Sequence, residues 1–338
     1  MINKVLIFGA AGYIGCELVE YLIKKKFKVT AVDSLLYNNN FSLKKFRKKK
    51  NYEFFNNSKL NDKKIKEIIN SSNFIVYLAG LVGDPITKKY PKESKFHNFD
   101  YISKIIKISR ENKNLDKFIF ISTCSNYGIV KKNIFAKETQ KLKPLSLYAK
   151  QKVNIEKLLL HKKNKSINPI ILRFATAFGL SKRMRFDLTV NQFVKDLFFK
   201  KNLVIYDADT WRPYCHVKDF CRLIYMTIMF KNKKIIGQVF NAGGDKNNFT
   251  KKGIVNLVKK KIKKNNIFFK KNDVDPRNYK VNFNKVKKIL NFTPIYSVQY
   301  GINEILNALK NNKIKKIKKE KIFRKYKIWF KMSKNKEK

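Results

Sequence analysis

The sequence predicts an α/β fold, a doubly wound parallel sheet followed by a smaller C-terminal α/β lobe. Short apolar runs rich in Ile, Val and Phe alternate with stretches long enough to cross over a sheet, the pattern of parallel βαβ units. A glycine-spaced turn, GAAGYIG, follows the first run directly. After Ala175 the alternation breaks into segments crowded with Arg, Pro, Asn and aromatic residues, which read as loops over the carboxyl ends of the strands.

In chain order, strands are expected at residues 4–10, 27–33, 52–56, 74–80, 118–123 and 169–175, each an apolar run rich in β-branched or aromatic residues. Helices are expected at 12–25, 62–71, 99–112 and 146–161, where polar and apolar residues share the chain over three turns or more. Residues 1–175 then form a cofactor-binding domain, onto which a segment near 211–245 packs back. Residues 176–312 form the lobe, and 313–338 a Lys-rich tail.

With 338 residues, 44% hydrophobic and 14% aromatic, the chain can fill a sizeable core, which excludes disorder as its main state. The net charge of +53 points at first to nucleic acid. Only nine of the 77 cations are Arg, however, and the excess is Lys scattered among Asn and Ile. Bidentate recognition of phosphates and bases favours Arg, so no specific nucleic-acid partner is expected and the bias reads as that of AT-rich coding. The tail carries Phe323, Tyr326, Trp329 and Phe330 among its lysines, which suits weak contact with a membrane surface. Cys16, Cys124, Cys215 and Cys221 form no CxxC pair and the three histidines no ligand cluster, so neither a disulfide framework nor a metal site is implied. The apolar opening is closed by Lys24, Lys25 and Lys26 and lacks a cleavage signal; a soluble, cytoplasmic protein is expected.

Gly9, Gly12 and Gly15, with Tyr13 and Ile14 between them, lie between an expected strand and an expected helix. Glycines there let the backbone turn tightly and approach a diphosphate, held by the N–H groups of the helix start. Asp33 closes the next strand, where a carboxylate accepts hydrogen bonds from an adenosine ribose and repels a 2′-phosphate. NAD is therefore favoured over NADP. Tyr148 and Lys152 lie four apart on one helix face, and Thr123 ends a strand whose carboxyl end opens on the same cleft. A tyrosine becomes a base near neutral pH only beside a cation, and Lys152, with the nicotinamide ring, is expected to supply it. Taken singly, each of these residues is more often structural.

The glycine turn, Asp33, LAGLVGDP, STCSNYG, YAKQK, RPYCHVKDF and FNAGG follow one another in an order and at spacings that resemble the extended short-chain dehydrogenase/reductases, in particular the nucleotide-sugar epimerase/dehydratase group. The resemblance runs from about Asn3 to Leu309. It implies a Rossmann domain carrying NAD, with Leu78, Ala79 and Gly80 beside the cofactor, a lobe carrying a nucleotide sugar, and catalytic roles for Thr123, Tyr148 and Lys152. It also implies a homodimer formed through the helices at 99–112 and 146–161. Arg212 and Arg277 match positions where arginines meet the nucleotide diphosphate. Arg185 and Asn191, in LSKRMRFDLTVNQF, resemble residues of enzymes linked to deoxy- and heptose-type sugars and are expected to contact the sugar nucleotide.

Three departures sharpen the expectation. Cys124 and Ser125 stand where 4,6-dehydratases carry an Asp-Glu pair, which disfavours dehydration. Ala175 and Thr176 replace an Asn common after Arg173 and Phe174, which argues against an ordinary UDP-glucose/UDP-galactose enzyme. Lys59 stands near the place of an adenine-binding Asp, so no adenine contact is assigned. His216 reads as a packed imidazole and Cys124 as a packing residue. The function expected is NAD-dependent epimerisation of a nucleotide sugar, by transient oxidation at C4, in the supply of cell-envelope polysaccharide. A 4-dehydrogenase or 4-reductase on the same site is the nearest rival, and an RNA-binding or regulatory module the more distant one.

Overall fold

The computed structural model describes residues 3–131, 133–262, 266–271 and 277–311. With elements numbered along the chain, strands β1 (Lys4–Phe8), β2 (Lys28–Asp33), β3 (Tyr52–Asn56), β4 (Phe74–Tyr77), β5 (Lys117–Thr123), β7 (Pro169–Phe174) and β11 (Val239–Ala242) form one sheet in the order β11-β7-β5-β4-β1-β2-β3. Every neighbouring pair is parallel. The chain winds outward from β1 to β3 and returns to β4, so the order reverses between β1 and β4; there the carboxyl ends of the strands open a crevice.

Both faces of this sheet are covered. Val5 and Ile7 of β1 pack with Leu18, Leu22, Phe220 and Ile224 from helices α1 (Gly15–Lys24) and α8 (Val217–Met229). Leu6 and Phe8 pack with Ile65, Ile105 and Leu159 from α2 (Asp62–Asn70), α5 (Tyr101–Ser109) and α6 (Leu147–Leu160). Strands buried on two faces read as continuous apolar runs, and that made them visible in the sequence. β1 and β4 stop two or three residues earlier than expected because the chain leaves the sheet at Gly9 (φ +83°) and again around Gly80 (φ +144°). The seventh strand, β11, lies in the segment expected to pack back and pairs with β7 at Val239 against Ile171.

The lobe contains a three-stranded sheet, β8 (Thr176–Phe178), β10 (Trp211–His216) and β12 (Asn248–Thr250), and the strand pair β9 (Leu203–Tyr206) with β13 (Ile267–Lys270). A further short pair joins β6 (Phe135–Ala136) to β14 (Lys280–Val281). Its main helices are α7 (Thr189–Phe198), α9 (Lys251–Lys259) and α11 (Val298–Lys310), while α10 (Asn284–Leu290) packs on β11 of the main sheet through Val286 and Leu290; two short helices, α3 (Asp84–Lys89) and α4 (Pro91–Lys95), follow β4. Val190, Val194, Ile254, Val258, Ile302 and Ile305 form the lobe core, and Tyr13 reaches into it from the glycine turn. The Lys-rich tail lies outside the described residues. Among the described residues no helix is long and apolar enough to cross a membrane.

α6 is fastened to the sheet by a buried ion pair. Arg173 Nη2 of β7 donates to Glu156 Oε2 at 2.7 Å, and the two side chains are 5% and 3% exposed. Ser122 and Asn126 also donate to Glu156, and Arg173 Nη1 donates to Tyr127 Oη at 3.0 Å. Removing one partner of such a pair leaves a buried charge unmatched, which costs about 3–5 kcal/mol. Arg173→Met should therefore lower the urea midpoint by that equivalent, and Arg173→Met with Glu156→Leu should recover most of it. A single variant as stable as the parent would contradict this role.

Candidate active site

A cavity of about 580 Å³ runs along the carboxyl ends of β1, β2, β4 and β5 and is lined on its lobe side by residues 183–188. One end is built on backbone. A Cβ at Gly9 would come within 2.7 Å of the Ala79 amide nitrogen, so the turn after β1 can lie against the chain leaving β4 only because Gly9 has no side chain. At Gly15 a Cβ would fall on the Gly9 carbonyl oxygen. Helix α1 starts after Ile14 without a side-chain cap, and Gly12, Tyr13, Ile14 and Gly15 line the cavity.

Asp33 closes this end. Its Oδ2 accepts from the Ala11 amide at 2.9 Å and its Oδ1 from the Leu35 amide at 2.8 Å. Burial pushes its carboxyl up, and those two bonds oppose the shift. Each oxygen keeps a lone pair for a hydroxyl donor. Leu78, Ala79 and Gly80 line the middle of the cavity. A glycine-floored groove on an uncapped helix start, ending in a carboxylate acceptor, fits a dinucleotide: diphosphate on the turn, ribose hydroxyls on Asp33.

Thr123, Tyr148 and Lys152 line the other end. Ser146 caps α6 by accepting from the Ala149 amide at 3.2 Å, which sets Tyr148 in the first turn. Thr123 Oγ1 accepts from the Ser125 amide at 3.1 Å and lies 2.9 Å from the Ser125 hydroxyl. Lys152 Nζ donates to the Ile121 carbonyl at 2.7 Å and lies 5.9 Å from the centroid of the Tyr148 ring.

Burial raises the Tyr148 hydroxyl well above its ordinary range; Arg185 is the charge that opposes this, while Asp84 and Tyr279 reinforce it. The Lys152 ammonium is turned to the Ile121 carbonyl, and burial pushes it down to about 7 against the pull of Glu156. Arg185 lines the cavity, held by Asp187 through Nε–Oδ1 at 3.1 Å and Nη2–Oδ2 at 2.5 Å.

Asn191 lies outside the cavity lining. It is fully buried: Oδ1 accepts from the Gly179 amide at 3.0 Å, and Nδ2 donates to Tyr13 Oη at 3.2 Å and to the Arg185 carbonyl at 3.0 Å. It shapes the loop before α7 and does not line the cavity, because its polar atoms are all used within the protein. Arg212 and Arg277 lie side by side, also outside the cavity lining. Arg212 Nη1 donates to the carbonyls of Trp211 and Arg277, and Arg277 pairs with Asp84 at 2.6 Å.

Several lining residues carried no sequence signal. Asn57, rather than the exposed Lys59, reaches the cavity beyond β3. Tyr37, Asn39, His97 and Gln192 join it from loops and helix ends. Arg183 also lines it, two residues from Arg185, and the repeated Arg in KRMR was the one available hint. His216 is buried with Nε2 at 3.0 Å from Glu304, and Cys124 donates to the Arg173 carbonyl at 3.1 Å with its thiol pushed up by burial.

A model of the NAD dependent epimerase/dehydratase family matches residues 5–243. Over 314 residues the chain is 29% identical to a Bacillus subtilis (strain 168) protein described as an uncharacterized UDP-glucose epimerase, YtcB, covering 89% of this chain and 96% of that one. It is 26% identical over 320 residues to the UDP-glucuronate 4-epimerase of Thermodesulfobacterium geofontis, covering 91% and 96%. The crystal structure of UDP-glucuronic acid 4-epimerase from Bacillus cereus, in complex with UDP-glucuronic acid and NAD, superposes with a TM-score of 0.82 at 26% identity, over 91% of this chain and 99% of that one. With the match running from β1 through β11, the chain belongs to the NAD-dependent epimerase/dehydratase family.

Proposed function

We propose that the protein is an NAD-dependent 4-epimerase of a UDP-linked sugar, and that a UDP-uronate is the substrate its cavity suits best. The observation that carries this reading is a single cavity with the glycine turn and Asp33 at one end and Thr123, Tyr148 and Lys152 at the other. Cys124 and Ser125 beside Thr123 supply no carboxyl group for an elimination. Bound NAD supplies the hydride acceptor at C4 and, for the return, the hydride donor.

The side chains handle the proton. Tyr148, as phenolate, takes the proton of the C4 hydroxyl while that carbon is oxidised, and gives it back once the keto-sugar presents its other face. Thr123 donates a hydrogen bond to the same oxygen. Because burial disfavours the phenolate, this step needs positive charge nearby; Arg185 provides part of it. Lys152, held at the Ile121 carbonyl, orients the ribose and completes the path for the proton.

Arg185 also bears on the choice of sugar. Asp187 takes Nε and Nη2 of this guanidinium, which leaves Nη1 to donate to a substrate group, and a cation beside the reacting hydroxyl is best matched by an anionic substituent. The relatives from T. geofontis and B. cereus, both named for UDP-glucuronate, support the same choice.

Tyr148→Phe should lower kcat by about 10²–10⁴-fold while NAD remains bound, as measured by NMR of products and by cofactor release on denaturation. Substantial residual turnover would remove the tyrosine from its role, and stoichiometric NADH in the parent enzyme would make it a dehydrogenase. Arg185→Met should lower kcat on both UDP-glucuronate and UDP-glucose, because the phenolate loses part of its counter-charge, and should cost about a further tenfold in kcat/KM on UDP-glucuronate beyond the loss on UDP-glucose. An equal loss on both sugars would refute the uronate assignment.

A further inference from the structure

The loop that opens the lobe is fastened to the helix that begins at the glycine turn. Tyr13 Oη donates to the Gly179 carbonyl at 2.6 Å, and Ser181 Oγ donates to the Tyr13 carbonyl at 2.7 Å. The Ser181 hydroxyl also lies 3.2 Å from Cys16 Sγ. Lys182 reaches outward, its amide donating to Glu17 Oε1 at 2.9 Å and its Nζ at 3.0 Å, with a second ion pair to Glu20.

With Lys182 turned out onto α1, its neighbour Arg183 is turned in. Its guanidinium lies 4.6 Å from the centroid of the Tyr37 ring, at the Asp33 end of the cavity. Its Nε is buried without a hydrogen-bond partner. Among the described residues no carboxylate is in ion-pair contact with it; Arg183 and Asp187 feel each other's charge, and Asp33 feels that of Arg183, without a hydrogen bond between them. A buried, unpartnered N–H on a cation is costly unless something else in the cavity accepts from it.

We propose that Arg183 is a cofactor-binding residue that takes the diphosphate of the dinucleotide from the lobe side, and that the Ser181–Lys182 clasp on α1 keeps the cofactor in place between turnovers. The dinucleotide is then held between the glycine turn below and a guanidinium above, and it leaves only when the loop parts from α1. Retention suits an enzyme that must return a hydride to the sugar it came from; in that use the inference rests on the proposed epimerisation, although the binding itself does not.

The test is calorimetric binding of NAD, ADP-ribose, NADP and UDP to the full-length protein stripped of cofactor. Arg183→Met should weaken NAD and ADP-ribose alike by about tenfold or more, and Arg183→Lys by less. UDP affinity should stay within about twofold, since UDP does not reach this end. Lys182→Met should speed the loss of NAD on gel filtration. The melting temperature of the cofactor-free variants should match the parent while the rise on adding NAD shrinks, which separates lost binding from lost folding; should Arg183→Met not fold, Arg183→Lys and Arg183→Gln carry the comparison. Unchanged NAD affinity, loss of UDP instead of NAD, or a parental preference for NADP that Arg183→Met abolishes would each overturn the proposal. A parent protein that retains NAD through Arg183 yet converts no UDP-sugar would overturn the epimerase reading and leave this one standing.

Discussion

A buried carboxylate, Glu156, fixes the helix on which the site depends. Tyr148, Lys152 and Glu156 are spaced four apart on α6, so they form one stripe facing the sheet. The lowest member of the stripe is anchored to Arg173, Ser122 and Asn126, all of which sit at or just beyond the ends of β5 and β7. That anchor sets the height of the helix against the strand ends, and with it the level at which Tyr148 and Lys152 meet Thr123. An apolar stripe would pack equally well at more than one height; a charge with four directed donors does not.

The same low-polarity setting makes the chemistry depend on where cations stand. Burial pushes the Tyr148 phenol up and the Lys152 ammonium down to about 7, so both groups are driven toward their neutral forms. Arg185 opposes this at the phenol and the Glu156 carboxylate opposes it at the ammonium; guanidinium groups themselves stay charged when buried. Of the nine arginines in the sequence, Arg173, Arg183, Arg185, Arg212 and Arg277 stand in or beside this cleft, whereas the many lysines are spread over the surface. The large positive charge is thus a poor guide to the partner, and the few arginines a good one. Both lobe arginines in the cavity, Arg183 and Arg185, come from a single loop stitched to α1.

The parallel sheet was legible because its strands are buried on both faces and therefore apolar throughout; β11 was not, since four residues inside a mixed segment carry too little pattern to register as a strand. The glycine turn, Asp33, Thr123, Tyr148 and Lys152 were legible because backbone constraint and helix spacing act over a few residues. Contacts made across the cleft were not. Asn191 looked like a ligand contact, yet its atoms are used by Gly179, Tyr13 and Arg185, partners up to 178 positions away along the chain. Lys59 stood in the expected place for the adenine, but the chain turns so that Asn57 faces the cavity. Direction of a side chain at the end of a strand is set by the local turn, which composition does not encode.

Transient oxidation with return of the hydride inside the cavity is the central claim, and isotope retention tests it most directly. A UDP-sugar carrying deuterium at C4 is incubated with the protein and the two epimers are separated and examined by NMR. The label should remain at C4 in both, with none in the solvent and none in added free NAD. Loss of deuterium to water would mean proton abstraction from carbon, and its transfer to free NAD would mean a net dehydrogenase; either result contradicts an internal, reversible hydride transfer.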